Sequence, residues 1–176
     1  ADASDFRTQI TKLQAAGVDL FFVDSQTPVK GALIVKQLQE AGVKGPLLLN
    51  DATIGGVKEV VEKYKDYLEG SIGAEVSYDR NNPETQALFA KYKELHSEDM
   101  QYASYMTAGY DAVFIIKEAI EKAGEDGTKI KDYLYTVQGR KGLSGTLSFD
   151  QNGDPDSSLK HALRIVKNGA VEDYKE

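Results

Sequence analysis

The chain of 176 residues contains no cysteine, only two histidines and no cluster of basic residues. The lack of cysteine excludes disulfides, cysteine nucleophiles and thiolate metal sites. No apolar run is long enough to span a bilayer, and no secretory signal peptide is visible. The net charge is -7. Nucleic acid and anionic membranes are therefore not expected as partners, because both attract clustered positive charge.

Catalytic and metal-binding motifs are also missing. His96 and His161 are isolated, and the sequence has no HExxH, phosphate loop, GxGxxG or GxSxG motif. The segment 150–156 spaces its oxygen-bearing side chains like a calcium loop. However, Pro155 stands where that loop needs glycine, and His161 stands where it needs glutamate. We interpret the segment as a turn, and we expect no metal, no cofactor and no enzymatic activity.

Helices and strands alternate over residues 5–96, with short connections. The predicted helices span residues 5–16, 27–41, 55–70 and 82–96. The predicted strands span residues 18–23, 46–49 and 71–78, and the first two are near-continuous apolar runs typical of strands covered on both faces. This order predicts an α/β fold with a parallel sheet flanked by helices. Because no strand precedes the first helix, the chain is interpreted as the back part of a larger protein.

The pattern changes after His96. A long helix is predicted over residues 102–123 and a short one over residues 128–137. Three strand-like segments follow, at residues 145–149, 159–167 and 170–174. Turns are predicted at Asn152-Gly153 and Asn168-Gly169, because these dipeptides favour positive backbone φ angles.

Two short polar loops follow the first two predicted strands. They are Asp24–Thr27 and Asn50–Thr53, and ligands of open parallel sheets bind beyond such strand ends. Asp51 is placed to hold a cationic group such as an ammonium. The alternative is that Asp51, Asn50 or Thr53 caps the next helix, and both interpretations stay open here.

Other residues at these strand ends have structural interpretations as well. Thr27 precedes Pro28 and is predicted to cap the second helix, because threonine followed by proline is typical of a helix start. Tyr78, at the end of the third predicted strand, is a weaker candidate for a ligand contact.

Several segments resemble one protein family. They are Asp5–Leu13, Gly17–Val23, Ala32–Gly42, Gly109–Val113 and Gly142–Asp154. Together they resemble the second lobe of type I periplasmic binding proteins, with Rossmann-like lobes, and most closely the leucine/isoleucine/valine-binding proteins of ABC importers. The resemblance extends over essentially the whole chain.

The resemblance implies two lobes joined by three crossing segments. Residues 1–98 would form most of lobe two, and residues 99–148 a crossing segment with helices and a strand of lobe one. Residues 149–176 would form the third crossing and strands that return to lobe two. Most of lobe one would be absent. Ile115, Ile116 and Ile120 would then lose apolar partners, so we expect a self-associated dimer or association with the missing N-terminal half.

The resemblance also implies a set of ligand-binding residues. Asp51 matches the acidic position that holds the α-ammonium of an amino acid, and Tyr105 matches an aromatic wall of the pocket. Gln26 or Thr27 falls where the family often has a tyrosine, so the identity of the amino acid stays open. Ser25 and Asn50 complete the predicted set because of their place in the two polar loops at the strand ends.

The function that the resemblance implies is the substrate-binding subunit of an ABC importer. It would bind a branched-chain or related amino acid between two lobes and deliver it to a membrane permease. The protein would be periplasmic or extracellular, either free or lipid-anchored. An alternative is a ligand-sensing domain of a receptor or regulator on the same fold. An enzyme of flavodoxin-like architecture would need a nucleophile, a phosphate loop or a metal set, which the sequence does not show.

Overall fold

A computed structural model describes residues 4–155 and 161–175. The helices are α1 (Arg7–Ala15), α2 (Pro28–Glu40), α3 (Asp51–Ile54), α4 (Lys65–Leu68), α5 (Pro83–His96), α6 (Ala103–Ala123) and α7 (Gly127–Tyr135). The strands are β1 (Phe22–Val23), β2 (Leu48–Leu49), β3 (Ile72–Val76), β4 (Arg140–Gly142), β5 (Gly145–Leu147), β6 (His161–Lys167) and β7 (Ala170–Asp173). The chain divides into two compact units. The first runs to Glu75 and resumes at Ala162, and the second comprises the residues between.

A five-stranded sheet has the order β1-β2-β3-β6-β7. The first three strands are parallel, with Phe22 opposite Leu48 and Leu48 opposite Ile72. The last two strands are antiparallel and join at Asn168 and Gly169, both with positive φ. This turn was predicted and is confirmed, and the mostly parallel sheet with its helices confirms the predicted α/β class.

The core of the first unit lies between the sheet and its helices. It contains residues from α1, α2, the sheet strands and the segment after α3. Its fully buried members include Val23, Val35, Leu38, Leu49 and Val166. Helix α2 begins where the sequence predicted, because the hydroxyl of Thr27 accepts a bond from the backbone N–H of Lys30.

The first two strands are shorter and less buried than predicted. Val23 and Leu49 are 2% exposed, whereas Phe22 and Leu48 are 63% and 38% exposed. Successive side chains of a strand point to opposite faces, so one face meets the core and the other is open in the described part of the chain. The prediction that both faces are covered was therefore wrong.

The prediction of a single helix over residues 55–70 is also wrong. Helix α3 begins earlier, at Asp51, and ends before Gly55-Gly56, which disfavours a continuous helix. A π-helical turn at Val57–Val61 follows, and then α4. Gly56 lies too close to Pro28 for a larger residue, because an added Cβ would be 2.7 Å from the Cβ of Pro28.

The long helix α6 buries a partly polar face. Ser104, Thr107 and Asp111 are buried, together with Ile115 and Ala119. Ile116 and Ile120 are 43% and 41% exposed, as expected for residues without partners, but Ile115 is 5% exposed and does not fit that prediction. Strands β4 and β5 form an antiparallel hairpin, of which the sequence predicted only the second strand.

Part of the C-terminal prediction lies outside the described residues. The strand predicted over residues 159–167 is described from His161 onward. Residues 156–160, which include the end of the aspartate-rich segment and part of the predicted third crossing, also lie outside the description. The division into lobes and crossing segments stays a prediction.

A buried ion pair joins β3 to β6. Nε of Arg164 lies 2.7 Å from Oε1 of Glu75, and the side chains are 4% and 9% exposed. Arg164 also pairs with Asp173 on β7, which is 61% exposed. A buried guanidinium needs a carboxylate partner, because the low-polarity interior does not solvate its charge.

Removing Glu75 is expected to destabilise the first unit. We predict that Glu75→Ala lowers the free energy of unfolding by about 3 kcal/mol, because Arg164 stays buried with one exposed partner. Urea unfolding of the intact protein measures the change. As a control, Lys36→Ala removes an exposed ion pair with Glu40 and should leave the unfolding midpoint almost unchanged. Equal midpoints for the two variants would contradict the prediction.

Candidate functional site

The two polar loops start side by side at the carboxyl ends of β1 and β2. The backbone N–H of Asn50 donates to the carbonyl of Val23 at 3.0 Å, which continues the parallel pairing past the last residue of β2. Asp24–Thr27 therefore begins next to the residue that opens the second loop. Sequence reasoning placed both loops at this edge, and the structure confirms that they meet.

The side chain of Asn50 connects the loops. Its Nδ2 donates to Oδ1 of Asp24 at 2.8 Å and to the carbonyl of Ser25 at 2.7 Å. Its Oδ1 accepts bonds from the backbone N–H and the hydroxyl of Thr53, at 3.1 and 2.7 Å. Asn50 is thus the N-cap of α3 and also the link to the first loop, which answers the capping question that the sequence left open.

A buried pair of hydroxyls lies beneath this link. Oγ of Ser25 is 2.9 Å from Oγ1 of Thr53 and 3.1 Å from the carbonyl of Thr27. Ser25 is 8% exposed and Thr53 is fully buried. The hydroxyl of Ser25 is therefore engaged within the protein, whereas Gln26 is exposed.

Asp51 is the first residue of α3 and is half-buried. Its Oδ1 accepts a bond from the backbone N–H of Ala52 at 2.8 Å. Since Asn50 caps the helix, the carboxylate of Asp51 is not the N-cap group. The sheet edge therefore carries two carboxylates, those of Asp24 and Asp51, and this arrangement favours a cationic ligand group over an anionic one.

Helix α2 approaches the hydroxyl pair closely through Gly31. A Cβ at this position would lie 2.8 Å from Oγ1 of Thr53 and 3.0 Å from Oγ of Ser25. Sequence reasoning treated Thr53 as a capping candidate and missed both its link to Ser25 and the role of Gly31. A glycine in the middle of a good helical pattern was the available signal, because such a glycine often marks a close approach.

Tyr105 lies in the other unit. It is in the first turn of α6 and is 47% exposed. The structure brings five of the six predicted residues together in the first unit: Ser25, Gln26, Thr27, Asn50 and Asp51. Tyr78 packs edge-on against Phe89, with ring centroids 6.0 Å apart. The assignment of these residues to a ligand stays a prediction.

The second unit contains a buried carboxylate, that of Asp111, which the sequence analysis did not predict. Asp111 on α6 accepts bonds from the backbone N–H groups of Leu143 and Ser144, at 2.9 and 2.8 Å, and from the hydroxyl of Ser144. A Cβ on Gly142 would overlap the carboxylate at 2.5 Å. Asp111 therefore holds the turn between β4 and β5.

The aspartate-rich segment is a turn in its described part. The backbone N–H groups of Asn152 and Asp154 donate to the carboxylate of Asp150, and these bonds lower the pKa of that carboxyl. Over residues 4–155 and 161–175, no group of three or more acidic or histidine residues is arranged to hold a metal ion. None of the helices in these ranges combines the length and the hydropathy of a membrane-spanning segment.

A family model described as periplasmic binding protein matches residues 1–171. The chain belongs to this family. The structure is similar to the crystal structure of a leucine-binding protein, LivK, from Thermotoga maritima, with a TM-score of 0.77. The two sequences are 25% identical, and the match covers 99% of this chain and 49% of that one. The family resemblance and the type I fold predicted from the sequence are confirmed.

Sequence relatives agree with this assignment. A Leu/Ile/Val-binding protein homolog from Brucella suis is 28% identical over 86% of this chain. A leucine-, isoleucine-, valine-, threonine- and alanine-binding protein from Pseudomonas aeruginosa is 28% identical over 88% of it. The chain spans 39% and 40% of the lengths of these two relatives. The family consists of solute-binding proteins, which agrees with the prediction that the chain is not an enzyme.

The close approach at Gly31 gives a test of the site's geometry. We predict that Gly31→Ala lowers the free energy of unfolding by about 1–2 kcal/mol, because crowding of Ser25 and Thr53 outweighs the better helix propensity of alanine. Gly109→Ala on α6 is the matched control, since an added Cβ there meets nothing within 4 Å. It should raise stability by roughly 0.5–1 kcal/mol. A stabilising Gly31→Ala, measured by urea unfolding, would contradict the described packing.

Proposed function

We propose that the intact protein is the substrate-binding subunit of an ABC importer and binds an amino acid at the sheet edge formed by Asp24–Thr27 and Asn50–Thr53. The proposal rests on the position of the Asp51 carboxylate, because Asp51 opens α3 at this edge while Asn50 is the N-cap of that helix. The relatives support an amino acid as ligand, because the Pseudomonas aeruginosa protein is named for binding five of them.

The chemistry of Asp51 suits the α-ammonium of an amino acid. A carboxylate accepts charge-assisted hydrogen bonds from an ammonium, each worth roughly 1.5–3 kcal/mol. The half-buried position reduces competition from water, which strengthens the bond relative to an exposed pair.

The neighbouring residues would select the side chain of the ligand. Gln26 is exposed on the first loop and offers an amide, whereas Ser25 and Thr27 are engaged with the protein's own groups. The amide of Gln26 would suit a polar or larger amino acid as well as a branched-chain one.

Ligand binding would act through the conformation of the two lobes. An amino acid that contacts both lobes stabilises the closed form relative to the open form, and a permease would recognise that closed form. The protein would work in the periplasm or outside the cell, free or held by a lipid anchor.

Removal of the carboxylate tests the proposed site. We predict that Asp51→Ala in the intact protein weakens amino-acid binding at least tenfold, roughly the loss of one charge-assisted bond. Isothermal titration calorimetry with the twenty common amino acids measures the affinity. Asp66→Ala is the control, because it removes the same charge from an exposed position on α4. Unchanged affinity in Asp51→Ala would remove this residue from the site.

We also propose that the apolar side of α6 is covered by another polypeptide, either a second copy of the chain or the rest of the same protein. This surface comprises Met106, Tyr110, Val113, Phe114, Ile116 and Ile120, each between 37% and 68% exposed. Side chains three and four positions apart lie on one side of a helix, so these residues form a continuous apolar surface. Surfaces of this kind mark sites of association.

Native mass spectrometry of the 176-residue chain tests the association. We expect a multiple of 19.3 kDa, or a complex with the remaining part of the protein, and a Val113→Lys variant should lose most of it. Val29→Lys is a closely matched control, because Val29 and Val113 are 69% and 68% exposed. A monodisperse monomer of the unmodified chain would contradict the proposal.

A further inference from the structure

We infer that Thr53 is a positioning residue for the proposed site, and that its hydroxyl fixes the two ligand loops relative to each other. This inference rests on the proposed function, since it concerns the placement of Asp51 rather than a separate site. Thr53 itself is fully buried and cannot contact a ligand from within the core.

The hydroxyl of Thr53 contacts a residue of each loop. Its Oγ1 lies 2.9 Å from Oγ of Ser25 on the first loop and 2.7 Å from Oδ1 of Asn50 on the second. The backbone N–H of Thr53 donates to the same oxygen of Asn50 at 3.1 Å. The buried side chain of Thr53 therefore connects the two loops.

The side chain of Thr53 has little freedom to choose another rotamer. Oγ1 and Cγ2 lie 2.8 and 3.1 Å from the position that a Cβ on Gly31 would occupy, so both branches rest against the backbone of α2. Branching at Cβ already restricts rotation about χ1. The hydroxyl is thus held in one direction, toward Ser25 and Asn50.

Helix α3 depends on these contacts for its orientation. It has only four residues, and so short a helix is not stable from its own hydrogen bonds. Asp51 is two residues before Thr53 on this helix, so the direction of its carboxylate follows the anchoring of Thr53. Loss of the hydroxyl would alter the placement of Asp51 while leaving the apolar core intact.

Two substitutions of Thr53 distinguish the contribution of its hydroxyl from that of its packing. Thr53→Val keeps the branched shape and removes the hydroxyl, and we expect it to weaken amino-acid binding about tenfold. Thr53→Ser keeps the hydroxyl and should stay within about threefold of wild type. The probe is whichever of the twenty common amino acids binds the wild-type protein most tightly, measured by calorimetry. Ser25→Ala removes the partner hydroxyl and gives the same expected loss if Thr53→Val does not fold.

Two controls separate positioning from stability. Thr85→Val makes the same chemical change at a fully buried threonine of α5, whose hydroxyl has no hydrogen-bond partner within the described residues. Val35→Ala leaves a cavity in the core of the first unit and lowers stability without changing a residue of either loop. Both variants should keep wild-type affinity well below their unfolding temperatures.

A double variant decides whether Thr53 acts through Asp51. If it does, Thr53→Val should weaken binding little further once Asp51 has been replaced by alanine. Additive losses would overturn the inference, as would wild-type affinity in Thr53→Val. In either case, a weakened Asp51→Ala variant would leave the proposed function standing. Failure of the wild-type protein to bind any amino acid would instead reject the function and the inference together.

Discussion

The hydrogen bonds of the Asn50 side chain are the interaction on which the proposed site depends. They join Asp24 and Ser25 after β1 to Thr53 in α3, and they cap that helix at the same time. The amide uses both its donors and its acceptor oxygen within the protein. The N-cap of α3 is therefore Asn50 and not the neighbouring Asp51. Asn50 thus caps α3 and holds the first loop, and the carboxylate of Asp51 lies next to it at the same sheet edge.

The sequence predicted the local features well, because their chemistry is local. Thr27 before Pro28, and Asn168-Gly169 between strands, adopt the cap and the turn that these residue types favour. It did not decide which residue of Asn50–Thr53 caps α3, because three of the four can do so. The answer depends on Asp24 and Ser25, which are distant in sequence and meet Asn50 only in the folded sheet.

Burial was predicted less well than element type. Apolar runs such as residues 18–23 indicated strands covered on both faces, yet Phe22 and Leu48 share an open face within the described structure. On α6, Asp111 faces inward because its carboxylate binds the turn at Leu143 and Ser144. That contact orients the helix, so its apolar periodicity alone did not show which side is buried.

In the proposed site, Asp51 would recognise the ammonium of an amino acid. The most direct test compares, on the unmodified intact protein, the tightest-binding amino acid with the 2-oxo acid that carries the same side chain. The two ligands share a carboxylate and differ in the ammonium. Calorimetry should show binding of the oxo acid weakened at least tenfold, because Asp51 would face a carbonyl oxygen instead of a cation. Equal affinities would contradict recognition of the ammonium by Asp51.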